Sequence, residues 1–107
     1  MKNIIIRQGG ILGKMIFANK DFKKGKVIIK YNLNKITKEE FTGLSKEERK
    51  FVHLHYGIYY LYSSPERYVN HSSNPNTMQD LKNKCDIAIR DIKKGEEITT
   101  DSSKDDI

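Results

Sequence analysis

Apolar residues fall along this chain in short clusters rather than long runs, and the spacing inside each cluster predicts its structure. Ile4, Ile5 and Ile6 are consecutive β-branched residues followed by Gly9-Gly10, the pattern of a first strand and a turn. Met15 to Ala18 reads as a second short strand. Thr37 with Glu40, and Ser45 with Glu48, have capping-box spacing, a hydroxyl at the cap and a glutamate at the third helical position. Two short helices are expected there, at 38–42 and 46–54. After Gly57 the run IYYLY returns to strand chemistry until Ser63-Ser64-Pro65 breaks it. CDIAIR alternates as a strand does, with Cys85, Ile87 and Ile89 on one face. This order of strands, small helices and strands leaves no room for a βαβ crossover. It excludes a Rossmann-type methyltransferase or dehydrogenase, and the absence of a Gly-x-Gly-x-x-Gly segment agrees.

One pattern occurs twice. ANKDFKKGKVI (Ala18 to Ile28) and AIRDIKKGEEI (Ala88 to Ile98) share an alanine, an aspartate, an apolar residue, Lys-Lys-Gly and a closing isoleucine. Asp21 and Asp91 can accept from nearby backbone donors, and Phe22 and Ile92 are expected to face the core. Gly25 and Gly95 supply the dihedrals of a turn before a new strand. Two similar strand-turn-strand corners in one β-rich domain are the expectation, since a unit seen twice is not a solenoid.

Composition narrows the class. At 107 residues the chain is read as one domain, 1–107, with 102–107 a short acidic tail, and 32% charged residues leave a modest core. The net charge of +6 permits an acidic or nucleic-acid partner without identifying one, and the lysine runs have the ordinary reading of a solvated face. Cys85 is the single cysteine, so neither an intrachain disulfide nor a cysteine zinc cluster can form within the chain, and the cytoplasm is the default location. No apolar run approaches the roughly 18 residues of a membrane span, and MKNIIIRQGG lacks the pattern of a secretion signal.

Little of the chain offers chemistry. On a helix His53 and His55 would point to different faces and make a poor metal pair, so no metal site is expected. Cys85 sits in an apolar strand pattern, where a buried inert thiol is the natural reading, and the tyrosines of IYYLY read as core. The exception is ERYVNHSSNPNT, Glu66 to Thr77, which packs three asparagines, a histidine and three hydroxyls around Pro75. Its amides can satisfy loop backbone groups, but His71 between Asn70 and Ser72 is hard to place as filler.

Arg67 to Asn76, RYVNHSSNPN, closely resembles the asparagine-histidine-serine motif of SET-domain protein lysine methyltransferases, with Ser73 where the family usually carries cysteine. Ile11 to Ile28 resembles the family's amino-terminal motif, and Ile89 to Asp101 its closing glycine-glutamate-glutamate segment. The turn RDIKKGEEI also resembles the SAF domain, a related β-clip module; the asparagine-histidine-serine motif decides for SET. The resemblance implies a mostly β fold with short helices, a β-clip whose carboxy-terminal segment threads beneath a loop in a knot-like core. It also implies S-adenosylmethionine as cofactor and a protein lysine, in a basic tail for instance, as substrate. On that carry-over the backbone of Lys14 and Met15 flanks the cofactor, Asn70 and His71 hold it, and Tyr31 lines the lysine channel. Arg67, Tyr68 and Asn76 stabilise the knot. The location is cytoplasmic, or nuclear if the source is eukaryotic or viral.

The sequence departs from the family in three places. The closing motif normally ends Asp-Tyr, the tyrosine being tied to catalysis, and here reads Asp101-Ser102. Loss of one positioned group of that kind costs on the order of 10²- to 10⁴-fold in rate. Met15 stands where glycine usually lets backbone approach the cofactor, and SSKDDI replaces the zinc-binding tail of many eukaryotic members, which raises the hypothesis of a homodimer that completes the channel. Glu96, Glu97, Asp101, Asp105 and Asp106 cluster near the carboxy terminus and are able to attract a basic peptide. An active lysine methyltransferase, a SET-like cofactor-binding or protein-interaction module without turnover, and a basic nucleic-acid-associated domain are the three readings in play.

Overall fold

The computed structural model describes residues 3–10 and 12–101. In chain order its elements are β1 (Ile4–Gln8), β2 (Lys14–Ala18), β3 (Val27–Lys30), β4 (Asn34–Ile36), α1 (Lys38–Gly43), α2 (Lys46–Arg49), β5 (Val52–His55) and β6 (Ile58–Leu61). A single 3₁₀ turn, Glu66–Tyr68, leads into β7 (Asn70–His71), β8 (Thr77–Asp80), β9 (Cys85–Ala88) and β10 (Thr99–Thr100). The fold is mostly β with two short helices, as the sequence implies. β1 and β2 form an antiparallel hairpin, β3-β9-β8 and β4-β6-β5 form two three-stranded sheets, and β7 pairs in parallel with β10.

The two repeated corners clasp each other. Phe22 and Ile92 exchange both backbone hydrogen bonds, at 2.7 and 2.8 Å. The Lys24 amide donates to Asp91 Oδ1 at 2.9 Å and the Lys94 amide to Asp21 Oδ1 at 2.8 Å, so each aspartate caps the other copy's turn rather than its own. The pattern continues outward, with the Gly25 amide donating to the Ala88 carbonyl and the Gly95 amide to the Ala18 carbonyl, both at 2.8 Å. Every partner has its equivalent 70 positions on, as in 91 − 21 = 70, so the clasp is a local two-fold. Gly25 and Gly95 have φ of +90° and +95°, which a side chain would resist. Under the clasp lies the core of Ile16, Ala18, Phe22, Ile28, Ile29, Ala88, Ile92 and Ile98. Burying one such isoleucine stabilises by about 1.5–3 kcal/mol.

Asn76 is the second fastening. It is buried, its Nδ2 donates to the Glu97 carbonyl at 2.7 Å, and its Oδ1 accepts from the Thr99 amide at 2.9 Å. Thr77 Oγ1 adds a bond to the Thr99 carbonyl at 2.7 Å. The loop after β7 is thereby tied to the approach to β10, which holds the short parallel pair Asn70↔Thr99 and His71↔Thr100.

Three expectations need correction. The first helix has its full capping box at Thr37 and Glu40, but the second stops at Arg49 instead of running to 54. Phe51 and Val52 are buried, and Val52 to His55 pair along β6 through a turn at Tyr56 and Gly57 with φ of +52° and +78°, the signature of a type I′ hairpin. Strand pairing plus burial outweighs the local preference set by the cap. Consequently His53 and His55 lie on one face of a strand, their rings parallel with centroids 6.1 Å apart. In β9 the expected one-sided alternation fails: Asp86 and Ala88 are buried as well as Cys85, while Ile89 just beyond the strand is exposed.

No helix among the described residues is long and apolar enough to cross a membrane. Replacing the buried Asn76→Ala would leave the part-buried Glu97 carbonyl and Thr99 amide without these partners, with an expected loss of about 1–3 kcal/mol of folding stability. Urea unfolding of the variant against the parent chain measures it.

Candidate functional site

A cavity of about 490 Å³ lies beside the β7/β10 pair, and its lining falls into two groups, each joined by its own contacts. The first comprises Gly10, Asn70, His71, Glu97 and Thr100. Asn70 Nδ2 donates to Glu97 Oε2 at 2.8 Å, His71 Nδ1 lies 3.7 Å from Asp101 Oδ1, and the Ser72 amide donates to the Thr100 carbonyl at 2.9 Å. Gly10 has φ of +73°, and a Cβ there would come within 2.9 Å of Met15 Cγ and 3.1 Å of Asn70 Nδ2. Glycine is thus required both by the backbone and by the close approach of β7. Thr100 Oγ1 is buried without a hydrogen-bond partner among the described residues.

The second group is Tyr31, Tyr62, Glu66 and Asp86. Tyr31, just past β3, donates its hydroxyl to Asp86 Oδ1 in a short contact, and its ring lies 5.5 Å from that of Tyr62. Tyr62 Oη is 2.8 Å from His55 Nε2, and the His53 ring lies 4.2 Å from the Tyr62 ring, so β5 braces this wall from behind. Glu66 is buried in the 3₁₀ turn, where Oε2 accepts from the Asn32 amide at 2.8 Å and the Ser63 amide at 3.2 Å, while Oε1 has no partner among the described residues. Burial, above all, and the nearby Glu66 carboxylate push Asp86 up to about 7, against the opposing bond from Tyr31. Burial and the Asp86 charge in turn hold the Tyr31 phenol far above its ordinary range.

The sequence-derived candidates distribute unevenly over this geometry. Asn70, His71 and Tyr31 reach the cavity wall together. Lys14 and Met15 lie outside the lining; Lys14 Nζ sits 5.3 Å over the Tyr68 ring. Arg67 lines the cavity but spends its guanidinium on Glu48, at 3.0 and 3.1 Å, with Nε donating to the Tyr62 carbonyl at 2.8 Å. Tyr68 packs edge-on to Phe51, and Asn76 forms the fastening described above. Ser102, Asp105 and Asp106 fall outside the described residues. Glu96 and Glu97 are engaged internally, Glu96 by Arg90 at 3.1 Å and the Lys93 amide at 3.0 Å, and Glu97 by Asn70.

A model of the SET domain matches residues 13–101 of this chain. The chain belongs to the SET-domain family. A crystal structure from Plasmodium falciparum, of a protein named as a candidate histone methyltransferase, matches this SET domain with a TM-score of 0.73 at 21% identity, covering 94% of this chain and 93% of that one. At that identity the likeness is one of fold. No curated protein matches the sequence significantly.

Within this SET domain, Asp86, Glu66 and Tyr62 escaped sequence reasoning. Asp86 sits in a strand whose alternation draws attention to Cys85, Ile87 and Ile89, and Glu66 directly follows the Ser63-Ser64-Pro65 break. Unfolded aspartate titrates near pH 4 while Asp86 holds its proton to about 7, so the folded chain binds the extra proton between those values. Stability therefore falls as pH rises through that window, by an upper bound of roughly 4 kcal/mol for this group. The Asp86→Asn variant is expected to lose that part of the slope, which urea unfolding at intervals from about pH 4 to 8 would read.

Proposed function

We propose that this SET domain is a protein-lysine N-methyltransferase that uses S-adenosylmethionine, with turnover restrained by Ser102 where the family motif ends in tyrosine. The observation that carries the reading is the β7/β10 pair, which sets Asn70 and His71 against Thr99 and Thr100 on the wall of a cavity that also contains Tyr31. The residues fit the cofactor. Thr100 Oγ1 is a buried hydroxyl without a partner among the described residues, Asn70 and His71 line the same cavity, and Gly10 leaves backbone close to it.

When bound, the cofactor supplies an electrophilic methyl group. Asn70 and His71 would hold it, with the backbone of Lys14 and Met15 flanking, and Tyr31 would line the path of the incoming amine. A lysine of pKa about 10.4 must shed a proton before its lone pair attacks, which at pH 7 costs roughly 4–5 kcal/mol. A cavity walled by Tyr31 and Tyr62 lowers that cost by desolvating the ammonium, and the tyrosine faces orient the amine once it is neutral. Arg67, Tyr68 and Asn76 act on the scaffold, tying the 3₁₀ turn to α2 and the β7 loop to β10.

The second reading, a cofactor-binding or protein-interaction module without turnover, rests on Asp101-Ser102, because serine is too short to place a hydroxyl where a phenol would reach. Calorimetric titration with S-adenosylmethionine separates the two when run on the chain and on Ser102→Tyr, followed by methyl-transfer assays on basic protein substrates. Binding by both forms is expected, with turnover raised by on the order of 10²- to 10⁴-fold in the variant. Asn70→Ala should weaken binding by about tenfold, the worth of one good polar contact. No binding by either form would overturn the methyltransferase reading in favour of the interaction module.

A further inference from the structure

Among the described residues two that are not glycine have positive φ, Tyr56 at +52° and Lys84 at +53°, and both line the same small cavity. Its volume is about 180 Å³, and it shares no lining residue with the larger cavity of the candidate site. A left-handed backbone is unfavourable for a bulky side chain, and a type I′ turn takes asparagine, aspartate or glycine more readily than tyrosine. Burial does not compensate at Tyr56, which is 86% exposed at the tip of the β5/β6 hairpin. Outliers of this kind collect where function requires them. Lys84 is held in place through its carbonyl, which accepts from the Tyr31 amide at 2.8 Å.

The rest of the lining is cationic and aromatic over an apolar base of Leu33 and Leu81, with no carboxylate in it. Lys82 and Lys84 are exposed, and neither forms a salt bridge among the described residues. Asp80, the acid of this loop, turns its carboxylate to Asn83, at 2.8 and 3.1 Å, and stays outside the lining. The Tyr60 ring lies 5.9 Å from that of the buried His55, and Lys35 is directly across from Tyr60 in β4, hence on the same face of the sheet. Positive charge therefore continues from the cavity along that face.

The partner that matches is anionic, flat and extended. An acidic peptide would use the lysines and leave the rings idle, and a duplex keeps its bases stacked on each other and cannot offer them to Tyr56. An unpaired nucleotide offers both a phosphate and a π-face, and the cavity admits one base-sized group. Lys35, beyond the cavity, suits a further phosphate of the same strand. We infer that Tyr56, Tyr60, Lys82 and Lys84, with Lys35 beyond them, form a docking surface for single-stranded nucleic acid, with a base stacked at the hairpin tip and phosphates on the lysines. The surface lies outside the candidate site and stands whether or not the chain transfers methyl groups.

Fluorescence anisotropy of a labelled decauridylate strand on the full chain tests this without a methyl donor, and uridylate is chosen because it lacks the adenine of the proposed cofactor. The strand is expected to bind about tenfold or more tightly than uridine monophosphate, a guanine-cytosine duplex of equal length, or decaglutamate, each used as an unlabelled competitor. Tyr56→Asn removes the ring and suits the turn, so the variant should fold at least as stably while binding the strand about tenfold more weakly. Lys84→Asn likewise suits its backbone; it and Lys82→Gln should each weaken the strand several-fold and lower the slope of log affinity against log salt by about 0.7. Duplex or decaglutamate bound as tightly as the strand would mean that the lysines attract any polyanion, and uridine monophosphate bound as tightly that no strand is followed. Full affinity in Tyr56→Asn would place the binding elsewhere on this chain of net charge +6. Each of these results overturns the inference, as does the absence of strand binding at low salt. The competitor series on the parent chain decides the matter even where a variant fails to fold.

Discussion

The reciprocal clasp between the corners at Asp21-Phe22 and Asp91-Ile92 is the constraint on which the rest of this structure depends. It joins the start of the chain to its end through main-chain bonds that cannot be made by either corner alone. From one corner runs β3, which ends beside Tyr31; from the other, the segment Gly95 to Ile98 leads to β10. Each corner thus delivers one part of the cavity wall, and the alignment of those parts follows from hydrogen bonds made at a distance from it. Loops that carry function on a rigid frame are a common arrangement. Here the frame is closed by sequence elements that are near copies of each other.

Much of this was legible in the residues, and the legible parts share a property. The corners were readable because glycine at positive φ and aspartate at a turn act locally, and α1 because its capping box is satisfied within four residues. What the sequence left open was the partner: each aspartate was read as serving its own turn, whereas it serves the other's. The hairpin at Tyr56-Gly57 was missed because its first turn residue is a tyrosine, not the asparagine or aspartate that advertises a type I′ turn, and the second helix was read on to residue 54, over most of β5. Only the ladder to β6 and the burial of Phe51 and Val52 reveal the strand, and both are tertiary facts.

The candidate site divides along the same line. Asn70 and His71 could be singled out from composition and motif, since a histidine amid asparagines has no obvious use in a loop. Asp86 and Glu66 could not. A strand of four residues carries too few alternations to say which face is inward, and β9 is covered on both, so its aspartate is buried with its neighbours. The sequence distinguishes a site by unusual residues; it does not announce common residues in unusual surroundings.

Glu66 illustrates what that costs a protein that must change. One oxygen of its carboxylate holds the chain at Asn32 and Ser63, and the other is buried without a hydrogen-bond partner among the described residues. Cavity wall and architecture are therefore encoded in a single side chain, and drift at this position alters both in one step. A lineage reshaping the cavity would find Gln79 easier ground, because replacing Glu66 would also release the Asn32 and Ser63 amides that it holds.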